Sequence, residues 1–436
     1  MPHDLDTRAQ DFESRFESFL NLRRDAGADV DERVRAILRR VRAEGDAAVC
    51  AYTAELDRHA PDAAGLRVDA ATLAEAVERC DAETVQALEL ARARIEAFHR
   101  LQLPDDLEHT DALGIRMGYR WTPVDAVGLY VPGGTAAYPS SVLMNAVPAK
   151  VAGVERLVMT VPAPEGYLNP LVLAAAHIAG VDEVYRIGGA QAVGALAYGT
   201  ETIRPVDKVV GPGNAYVAAA KRQVFGTVGI DSIAGPSEVL IVADGDNDPA
   251  ILAADLLAQA EHDAGAQSIL VTDDDALADR VVAAVAEHLR DLPRREIAGA
   301  SWRDFGAVVR VGSLDEAPAL VNRVAPEHLE LSVADPDALL AGVRHAGAAF
   351  LGRNTPEVVG DYVGGPNHVL PTDRCARYAS GLSVLDFMKR TTLLACNAAG
   401  FQAIGPAAVT LARAEGLDAH ARSVSLRLAA RGGEGA

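Results

Sequence analysis

Residues 127–161, VGLYVPGGTAAYPSSVLMNAVPAKVAGVERLVMTV, contain a pattern that much of the chain repeats. An apolar run at residues 127–131 leads through a Pro-Gly-Gly turn into an Ala-rich segment, and a second apolar run occupies residues 157–161. Short apolar runs bounded by Gly and Pro are typical of buried strands. Because strands that alternate with helical segments form parallel sheets, this stretch predicts a strand–helix–strand unit.

The same alternation continues along the chain. Further apolar runs at residues 184–187 and 209–210 each precede a helix-like segment. A second series of predicted strands and helices occupies residues 238–242, 249–263, 268–271, 276–289 and 307–311. We therefore predict an α/β fold with two parallel-sheet domains.

The two ends of the chain have a helical pattern instead. Residues 30–42 place Val34, Ile37, Leu38 and Val41 on one stripe with charges opposite, which indicates an amphipathic helix. The pattern is helical again from about residue 382. The predicted divisions are an N-terminal helical segment (1–27), a first α/β domain (28–126 with 238–381), a second α/β domain (127–237) and a C-terminal helical arm (382–436).

The charge balance excludes some partners. The 436 residues include 41 basic and 61 acidic ones, which gives a formal net charge of −20. Such a field repels polyanions, so we expect no nucleic-acid or anionic-membrane partner. No apolar run approaches the roughly 20 residues that a membrane span needs. The first eleven residues are polar and lack an apolar signal region, so we expect a soluble, cytoplasmic protein.

The cysteines point to a reducing compartment. The chain has four (Cys50, Cys80, Cys375 and Cys396), far apart and without a Cys-x-x-Cys pair. This distribution favours neither a disulfide framework nor a thiolate zinc site. Neither Cys375 nor Cys396 has an adjacent base or a thiolate-stabilising neighbour in the sequence, so we do not expect a thiol nucleophile.

Glycine turns follow several predicted strands. The turns at residues 132–134, 188–189 and 211–213 open into helices, where backbone N–H groups can bind phosphate. None has the full Gly-x-Gly-x-x-Gly fingerprint with an acidic residue about 20 positions later. Taken alone, these turns are better explained by tight packing than by dinucleotide binding.

Gln259 and His262 are a candidate metal pair. They lie three residues apart at the end of a predicted helix, so both project from one face. An imidazole with oxygen ligands suits zinc, although an exposed polar helix end is the alternative. Asp361, upstream of a Gly- and Pro-rich loop, and His420, near the C-terminus, are candidates for the remaining ligands. Taken separately, each is better explained as a turn-forming Asp or a surface His.

Glu327 and His328 are a candidate acid–base pair. Pro326 ends the preceding predicted helix, and an apolar alternation typical of a strand follows His328. An imidazole can accept a hydroxyl proton near neutral pH, and a neighbouring carboxylate can activate water. The alternative is a capping Glu beside a partly buried His.

These segments, in this order, closely resemble the histidinol dehydrogenase family. The matching stretches cover nearly the whole chain beyond the N-terminal helices. They are YVPGGTAAYPSSVLMNAVPAKVAGV from Tyr130, GPGNAYVAAAK from Gly211, GPSE from Gly235, AQAEHD from Ala258, APEHLEL from Ala325, GDYVGGPNHVLPT from Gly360, GLSVLDFMKR from Gly381 and GLDAHARSV from Gly416. The resemblance implies incomplete Rossmann-like domains similar to those of aldehyde dehydrogenases, which explains the missing phosphate fingerprint.

The resemblance also implies roles for individual residues. It implies one Zn2+ per subunit, with ligands Gln259, His262, Asp361 and His420 that also contact the substrate. Other implied substrate contacts are Ser237, His328, His368 and Glu415. The implied NAD contacts are Tyr130, Gln191 and Asn214, and the implied acid–base residues are Glu327 and His328. One departure from the family is the turn Asp373-Arg374-Cys375, where smaller residues are usual.

The activity implied by the resemblance is the zinc-dependent oxidation of L-histidinol through L-histidinal to L-histidine with two NAD+, the last step of histidine biosynthesis. Zinc would orient the substrate, His328 would take the hydroxyl proton, and Glu327 would activate water for the aldehyde step. The family forms a homodimer, which implies that Glu415 and His420 act on the partner's active site.

Three other functions are consistent with parts of the sequence. A paralogous zinc and NAD dehydrogenase could act on another hydroxy compound, but it would not need Glu415 and His420. A catalytically silent metal-binding or regulatory protein is disfavoured by the intact Glu327-His328 pair. A metal-dependent hydrolase would leave the turns at Tyr130 and Asn214 unexplained.

Overall fold

The computed structural model describes residues 1–22, 28–133, 137–233 and 235–432. Contacts divide the chain into a first unit, Met1–Gln102 with Val124–Phe387, and a second unit, Leu103–Pro123 with Met388–Ala436. Each unit is described separately. No helix within the described ranges is both long and apolar enough to cross a membrane.

The described residues contain the following strands and helices. The strands are β1 (His3–Asp6), β2 (Arg67–Val68), β3 (Leu107–Thr110), β4 (Arg116–Pro123), β5 (Ala126–Tyr130), β6 (Arg156–Thr160), β7 (Glu183–Tyr185), β8 (Lys208–Val210), β9 (Gly229–Ile230), β10 (Glu238–Ala243), β11 (Gln267–Thr272), β12 (Ala307–Arg310), β13 (His328–Ser332), β14 (Ala348–Leu351) and β15 (Met388–Ala395). The helices are α1 (Phe12–Asn21), α2 (Ala28–Glu44), α3 (Asp46–Leu56), α4 (Ala70–Glu78), α5 (Ala82–Arg100), α6 (Pro139–Ala152), α7 (Pro170–Ala179), α8 (Gly189–Tyr198), α9 (Ala215–Val224), α10 (Pro249–Ala260), α11 (Asp275–His288), α12 (Arg295–Phe305), α13 (Ala317–Val324), α14 (Pro336–Leu340), α15 (Glu357–Tyr362), α16 (Ala398–Ala414) and α17 (Asp418–Gly432).

The first unit contains a six-stranded sheet in the order β1-β12-β11-β10-β13-β14, and all its pairs are parallel. Alternate residues of β10 point to opposite faces of the sheet and pack in two different hydrophobic clusters. Val239 and Ile241 pack with α10 and α11, whereas Leu240 and Val242 pack with α1 and α13. Because helices cover both faces, β10 is buried along its whole length, as expected for a parallel sheet.

A second six-stranded sheet in the same unit has the order β2-β7-β6-β5-β8-β9. Its pairs are parallel except for β2 with β7. Helices α2, α8 and α9 contribute to one buried cluster on this sheet, and α6 packs against α7 and β5. The two parallel sheets confirm the predicted α/β class.

The N-terminal region differs from the prediction in two ways. Residues 1–27 were predicted as helical, but β1 precedes α1 and pairs with β12, because Leu5 is buried in the core of the first sheet. Residues 28–126 were grouped with residues 238–381. Instead, α2 packs against α8 and α9, while α4 and α5 pack against α7 and α6. An amphipathic stripe predicts that a helix buries one face, but it does not say which sheet that face meets.

The second unit combines a three-stranded antiparallel sheet, in the order β15-β4-β3, with the helix pair α16 and α17. The prediction of a helical arm over residues 382–436 holds for the helix pair but not for β15. The strand forms because residues 388–395 pair with β4 along its whole length, from Met388 opposite Pro123 to Ala395 opposite Arg116. That partner lies far away in the sequence, so local periodicity does not reveal it.

Candidate active site

The candidate acid–base residues lie where β13 begins, beside the start of β10. His328 is the first residue of β13 and pairs in register with Val239. The loop after α10 returns to the same edge, since an added Cβ at Gly265 would lie 3.6 Å from Pro236. The first sheet therefore presents its candidate site at the amino ends of its strands.

Hydrogen bonds to Glu238 fix the positions of Glu327 and His328. Glu327 Oε2 accepts from the Glu238 N–H at 2.9 Å, and His328 Nδ1 lies 3.0 Å from the Glu238 carbonyl oxygen. Because a carbonyl only accepts, Nδ1 must carry the proton and Nε2 holds the lone pair of the neutral ring. His328 Nε2 has no hydrogen-bond partner among the described residues and lies 3.5 Å from Asp361 Oδ1. The ring therefore directs its basic nitrogen towards Asp361.

Three carboxylates surround the buried ring of His328. Glu327 Oε2 and Glu357 Oε2 lie 3.7 and 3.6 Å from Nδ1, and Asp361 lies on the other side. Burial opposes protonation of the imidazole, but the negative charges of Glu327, Glu357 and Asp361 outweigh it and raise the pKa of His328 well above its ordinary value. A cation bound by Asp361 would reduce this effect and favour the neutral, basic ring.

The sequence analysis missed Glu357. Its side chain is 2% exposed, and Oε2 makes no hydrogen bond within the described part of the chain. Burial raises the pKa of Glu357 well above its ordinary value, although His328 opposes this effect. Glu357 precedes Asp361 by four residues on α15, so both project from one helix face. That spacing was the available signal.

Two more carboxyl groups, Glu330 and Asp255, lie near the carboxylates that surround His328. Glu330 Oε1 accepts from the Glu357 N–H at 2.6 Å and thereby holds the start of α15. Burial raises the pKa of Glu330 to about 8 and that of Asp255, on α10, to about 6. Both groups therefore favour the neutral form more than ordinary carboxyls do.

Gln259 lies in the last turn of α10, His262 lies two residues beyond its end, and Asp361 lies on α15, which packs against α10. Gln259 is 1% exposed, and its Nε2 makes no hydrogen bond to any described residue. Desolvation lowers the pKa of His262, opposed by the nearby charge of Asp361. A buried unpartnered amide, an imidazole and a carboxylate are donors that suit zinc. The residues present therefore fit the implied metal.

These three side chains are fewer than the four implied metal ligands. Among the described residues, no three His, Cys, Asp or Glu side chains are close enough to hold a metal ion by themselves. The fourth implied ligand, His420, is exposed on α17, and the implied substrate contact Glu415 is exposed just after α16. Both belong to the second unit.

His368 and Ser237 border the same edge. His368 Nδ1 lies 3.0 Å from the Asp361 carbonyl oxygen, so this nitrogen donates. Burial lowers the pKa of His368, opposed by Asp361. Ser237 directly precedes β10, and its carbonyl accepts from the Gln267 N–H at 3.0 Å. His368 therefore belongs to the group around Asp361, and Ser237 lies at the amino end of the same sheet.

The candidate NAD contacts lie at the carboxyl ends of the strands in the second sheet. The candidate acid–base residues, in contrast, lie at the amino ends of strands in the first sheet. Tyr130 ends β5, and its hydroxyl accepts from the Gly189 N–H at 3.1 Å. Burial raises the pKa of Tyr130 to about 12, so the phenol stays protonated. Gln191, on α8, is 1% exposed, and its Oε1 makes no hydrogen bond to the described residues. This unpartnered oxygen, beside the N-terminus of α8, fits a bound ligand with donor groups.

Asn214 begins α9. Its Oδ1 accepts from the N–H groups of Tyr216 and Val217 at 3.0 and 3.2 Å. Just before it, Gly211 has a φ of 110°, and an added Cβ would lie 2.1 Å from the Tyr130 carbonyl oxygen. Gly211 therefore brings the start of α9 against the end of β5, which places Asn214 and Tyr130 on neighbouring strand ends.

The other glycine turns serve packing. An added Cβ at Gly133 would lie 2.6 Å from Pro162, and one at Gly188 would lie 2.5 Å from it. Pro162 therefore occupies the space that a side chain at Gly133 or Gly188 would need. This close packing agrees with the interpretation of these segments as tight turns. Gly134, in the first of these turns, lies outside the described residues.

Comparison with known proteins identifies the family. A sequence model of the histidinol dehydrogenase family matches residues 21–428. Histidinol dehydrogenase from Rhodospirillum rubrum is 64% identical over 429 residues, which cover 98% of this chain and 99% of that protein. Histidinol dehydrogenase from Rhizobium meliloti is 63% identical over 417 residues, which cover 96% of each chain.

A solved structure agrees with these matches. The crystal structure of histidinol dehydrogenase from Elizabethkingia anophelis aligns with a TM-score of 0.93 and 35% identity over 99% of each chain. The resemblance drawn from the sequence motifs is thus confirmed over nearly the whole length. The chain belongs to the histidinol dehydrogenase family and is an oxidoreductase of histidine biosynthesis.

Proposed function

We propose that this chain oxidises L-histidinol through L-histidinal to L-histidine with two NAD+, in the last step of histidine biosynthesis. The observation that carries the proposal is the arrangement of His328. Its Nδ1 is held by the Glu238 carbonyl, and its Nε2 lies 3.5 Å from Asp361 Oδ1. An imidazole that is held by one nitrogen, with its other nitrogen next to a candidate metal ligand, suits removal of a hydroxyl proton from an anchored alcohol.

Gln259, His262, Asp361 and His420 would hold one Zn2+. When bound, the ion would supply an anchor for the substrate, so its contribution would be orientation rather than activation. The unpartnered amide of Gln259 and the α10–α15 packing support this assignment for the three ligands in the first unit. Ser237, His368 and Glu415 would contact the substrate.

The two oxidations use the same base. In the first, His328 Nε2 takes the hydroxyl proton while the carbinol C–H leaves as hydride to NAD+, which gives the aldehyde and NADH. Glu327 then removes a proton from water as the water oxygen bonds to the aldehyde carbon, and protonated His328 returns its proton to the aldehyde oxygen, which gives the hydrate and restores the base. His328 takes the hydroxyl proton of this hydrate while its C–H leaves as a second hydride to a second NAD+, which gives the carboxylic acid.

Tyr130, Gln191 and Asn214 would bind NAD. The unpartnered Gln191 Oε1 can accept from a donor group of the cofactor, and both α8 and α9 begin at this edge of the sheet. These N-termini supply local positive potential in a chain with a net charge of −20.

We further propose a cytoplasmic homodimer in which Glu415 and His420 complete the partner's site. The exposure of both residues in the second unit is consistent with a role towards another chain.

The test is a steady-state assay of purified protein with quantified zinc, using L-histidinol and NAD+. We expect two NADH for each histidinol consumed, with histidine as the product. One NADH for each substrate would contradict the four-electron reaction. Turnover of another hydroxy compound in preference to histidinol would favour a paralogous dehydrogenase instead.

A further inference from the structure

Glu238 connects two parts of the candidate site. It is the first residue of β10 and is 4% exposed. Its side-chain Oε2 accepts from the Glu327 N–H at 3.3 Å, and Oε1 accepts from the Asp373 N–H at 3.0 Å. Its backbone binds Glu327 Oε2 and His328 Nδ1. One residue therefore touches both members of the candidate acid–base pair and the turn beside them.

The turn at Asp373 and Arg374 has an unfavourable backbone conformation. Asp373 has a φ of 51° and Arg374 a φ of 62°, and neither is a glycine. Left-handed conformations of this kind are disfavoured for residues with a Cβ and persist when neighbouring groups hold them. The holding contacts here are the Glu238 carboxylate on the Asp373 N–H and the Thr372 Oγ1, which accepts from the Gly235 N–H at 2.6 Å.

We propose that Glu238 is a positioning residue whose carboxylate ties the 372–374 turn to the Glu327–His328 pair. This inference rests on the proposed function, in which that pair does the proton chemistry. A carboxylate is needed because both of its oxygens receive a backbone N–H. An amide would offer an acceptor to one of these N–H groups and a donor to the other. Loss of one contact would leave either Glu327 or the turn without its anchor.

The test compares Glu238→Gln with the parent enzyme. We expect kcat for histidinol to fall about 10- to 100-fold, the usual effect of removing a group that orients a reacting residue. The KM for NAD and the zinc content should stay within about twofold of the parent, because the contacts that Glu238 makes are with Glu327, His328 and residue 373. A matched control is Glu183→Gln in the second sheet, where a partly buried carboxylate also accepts several hydrogen bonds. The control should lose stability but keep its kcat.

A second substitution separates positioning from general damage. Gly at position 373 adopts the left-handed conformation without strain and keeps its N–H. In the double variant Glu238→Gln, Asp373→Gly the turn can move away from the amide nitrogen, so the amide oxygen remains on the Glu327 N–H. We therefore expect the double variant to recover at least about threefold in kcat over Glu238→Gln, because a glycine turn no longer depends on the carboxylate.

Three results would overturn the inference. The first is a kcat of Glu238→Gln within about twofold of the parent while the parent forms two NADH per histidinol. The second is a loss of kcat matched by losses of zinc and NAD affinity and not relieved by Asp373→Gly. If the glutamine variant does not fold, Glu238→Asp is tested in its place. The third contradicting result is a kcat of Glu238→Asp equal to that of the parent, because the shorter side chain should not reach both N–H groups. Failure of the parent itself to oxidise histidinol would instead refute the proposed function.

Discussion

Nε2 of His328 lies 3.5 Å from Oδ1 of Asp361, and it makes no hydrogen bond to the described residues. The other ring nitrogen is committed to the Glu238 carbonyl at 3.0 Å. The ring is thus held in one orientation with one nitrogen available. The proposed chemistry needs both nitrogens of this imidazole, because Nδ1 fixes the ring and Nε2 takes the proton.

The first prediction concerns His328 itself. His328→Asn keeps a polar side chain but removes the basic Nε2, so histidinol oxidation should fall at least about 100-fold, the usual range for loss of a general base. Zinc content should not change, because His328 is not among the proposed ligands. The measurements are histidinol-dependent NADH formation and metal analysis of the same protein. Normal turnover would remove His328 from the role of base.

The second prediction separates the two oxidations. Glu327→Gln retains an oxygen to accept the Glu238 N–H but cannot take a proton from water. With histidinal as substrate, kcat should fall about 100-fold, whereas the Kd for NAD should be unchanged. Stopped-flow measurement of NADH formation from histidinal and calorimetric titration with NAD give the two values. Equal rates of aldehyde oxidation in variant and parent would refute water activation by Glu327.

Local sequence patterns predicted some strands and helices of the fold but missed others. The alternation in residues 127–161 correctly predicted β5, α6 and β6, because a buried strand and an amphipathic or buried helix leave local signatures. β1 has only one buried apolar residue, Leu5, and β15 is exposed along most of its length. Their pairing partners lie hundreds of residues away, so neither strand has a sufficient local signature.

The candidate site was predictable where residue types imply chemistry. His262, Glu327 and His328 have such types in suggestive positions, whereas Glu357 is an ordinary acidic residue on a short helix. Glu residues are rarely fully buried, so the four-residue spacing from Asp361 was the available signal, and it is a weak one. The role proposed for Glu238 depends on contacts with residues 89 and 135 positions away. Such networks are visible only after folding.

The third prediction tests whether the active site is shared. A His328→Ala chain and a His420→Ala chain are each expected to be inactive as homodimers. In a mixed dimer, His328 of one chain and His420 of the other would form one intact site, so up to about half of the parental turnover should return. Differently tagged chains allow the mixed dimer to be purified. No recovery in the mixed dimer would mean that His420 acts within its own subunit.

The fourth prediction concerns stability and pH. Burial raises the pKa of Glu183, but hydrogen bonds from Arg156 and Tyr185 and the charge of Arg156 outweigh this and lower it to about 2. Because the folded pKa lies below the ordinary value of 4.5, the charged carboxylate stabilises the fold above pH 4.5. This stabilisation is lost as pH falls from about 4.5 towards 2.

Glu183→Gln should therefore lower the free energy of unfolding at pH 7 by about 2 kcal/mol, as expected for hydrogen bonds to a charged group. The difference from the parent should shrink as the pH falls below about 4.5. Urea unfolding at several pH values measures it. Asp279→Asn is the control, because its ion pair with Arg310 is mostly exposed on the Asp279 side and should contribute at most about 1 kcal/mol. A difference that does not change with pH would contradict the assignment.

A zinc ion beside His328 is central to the proposed chemistry. The direct measurement is an anomalous difference map at the zinc absorption edge from crystals of the zinc-loaded protein with histidinol. We predict one peak per subunit, bounded by Gln259, His262 and Asp361 of one chain and by a His420, at about 2.0–2.2 Å from each ligand atom. A zinc-replete crystal with no peak next to these side chains would contradict the account.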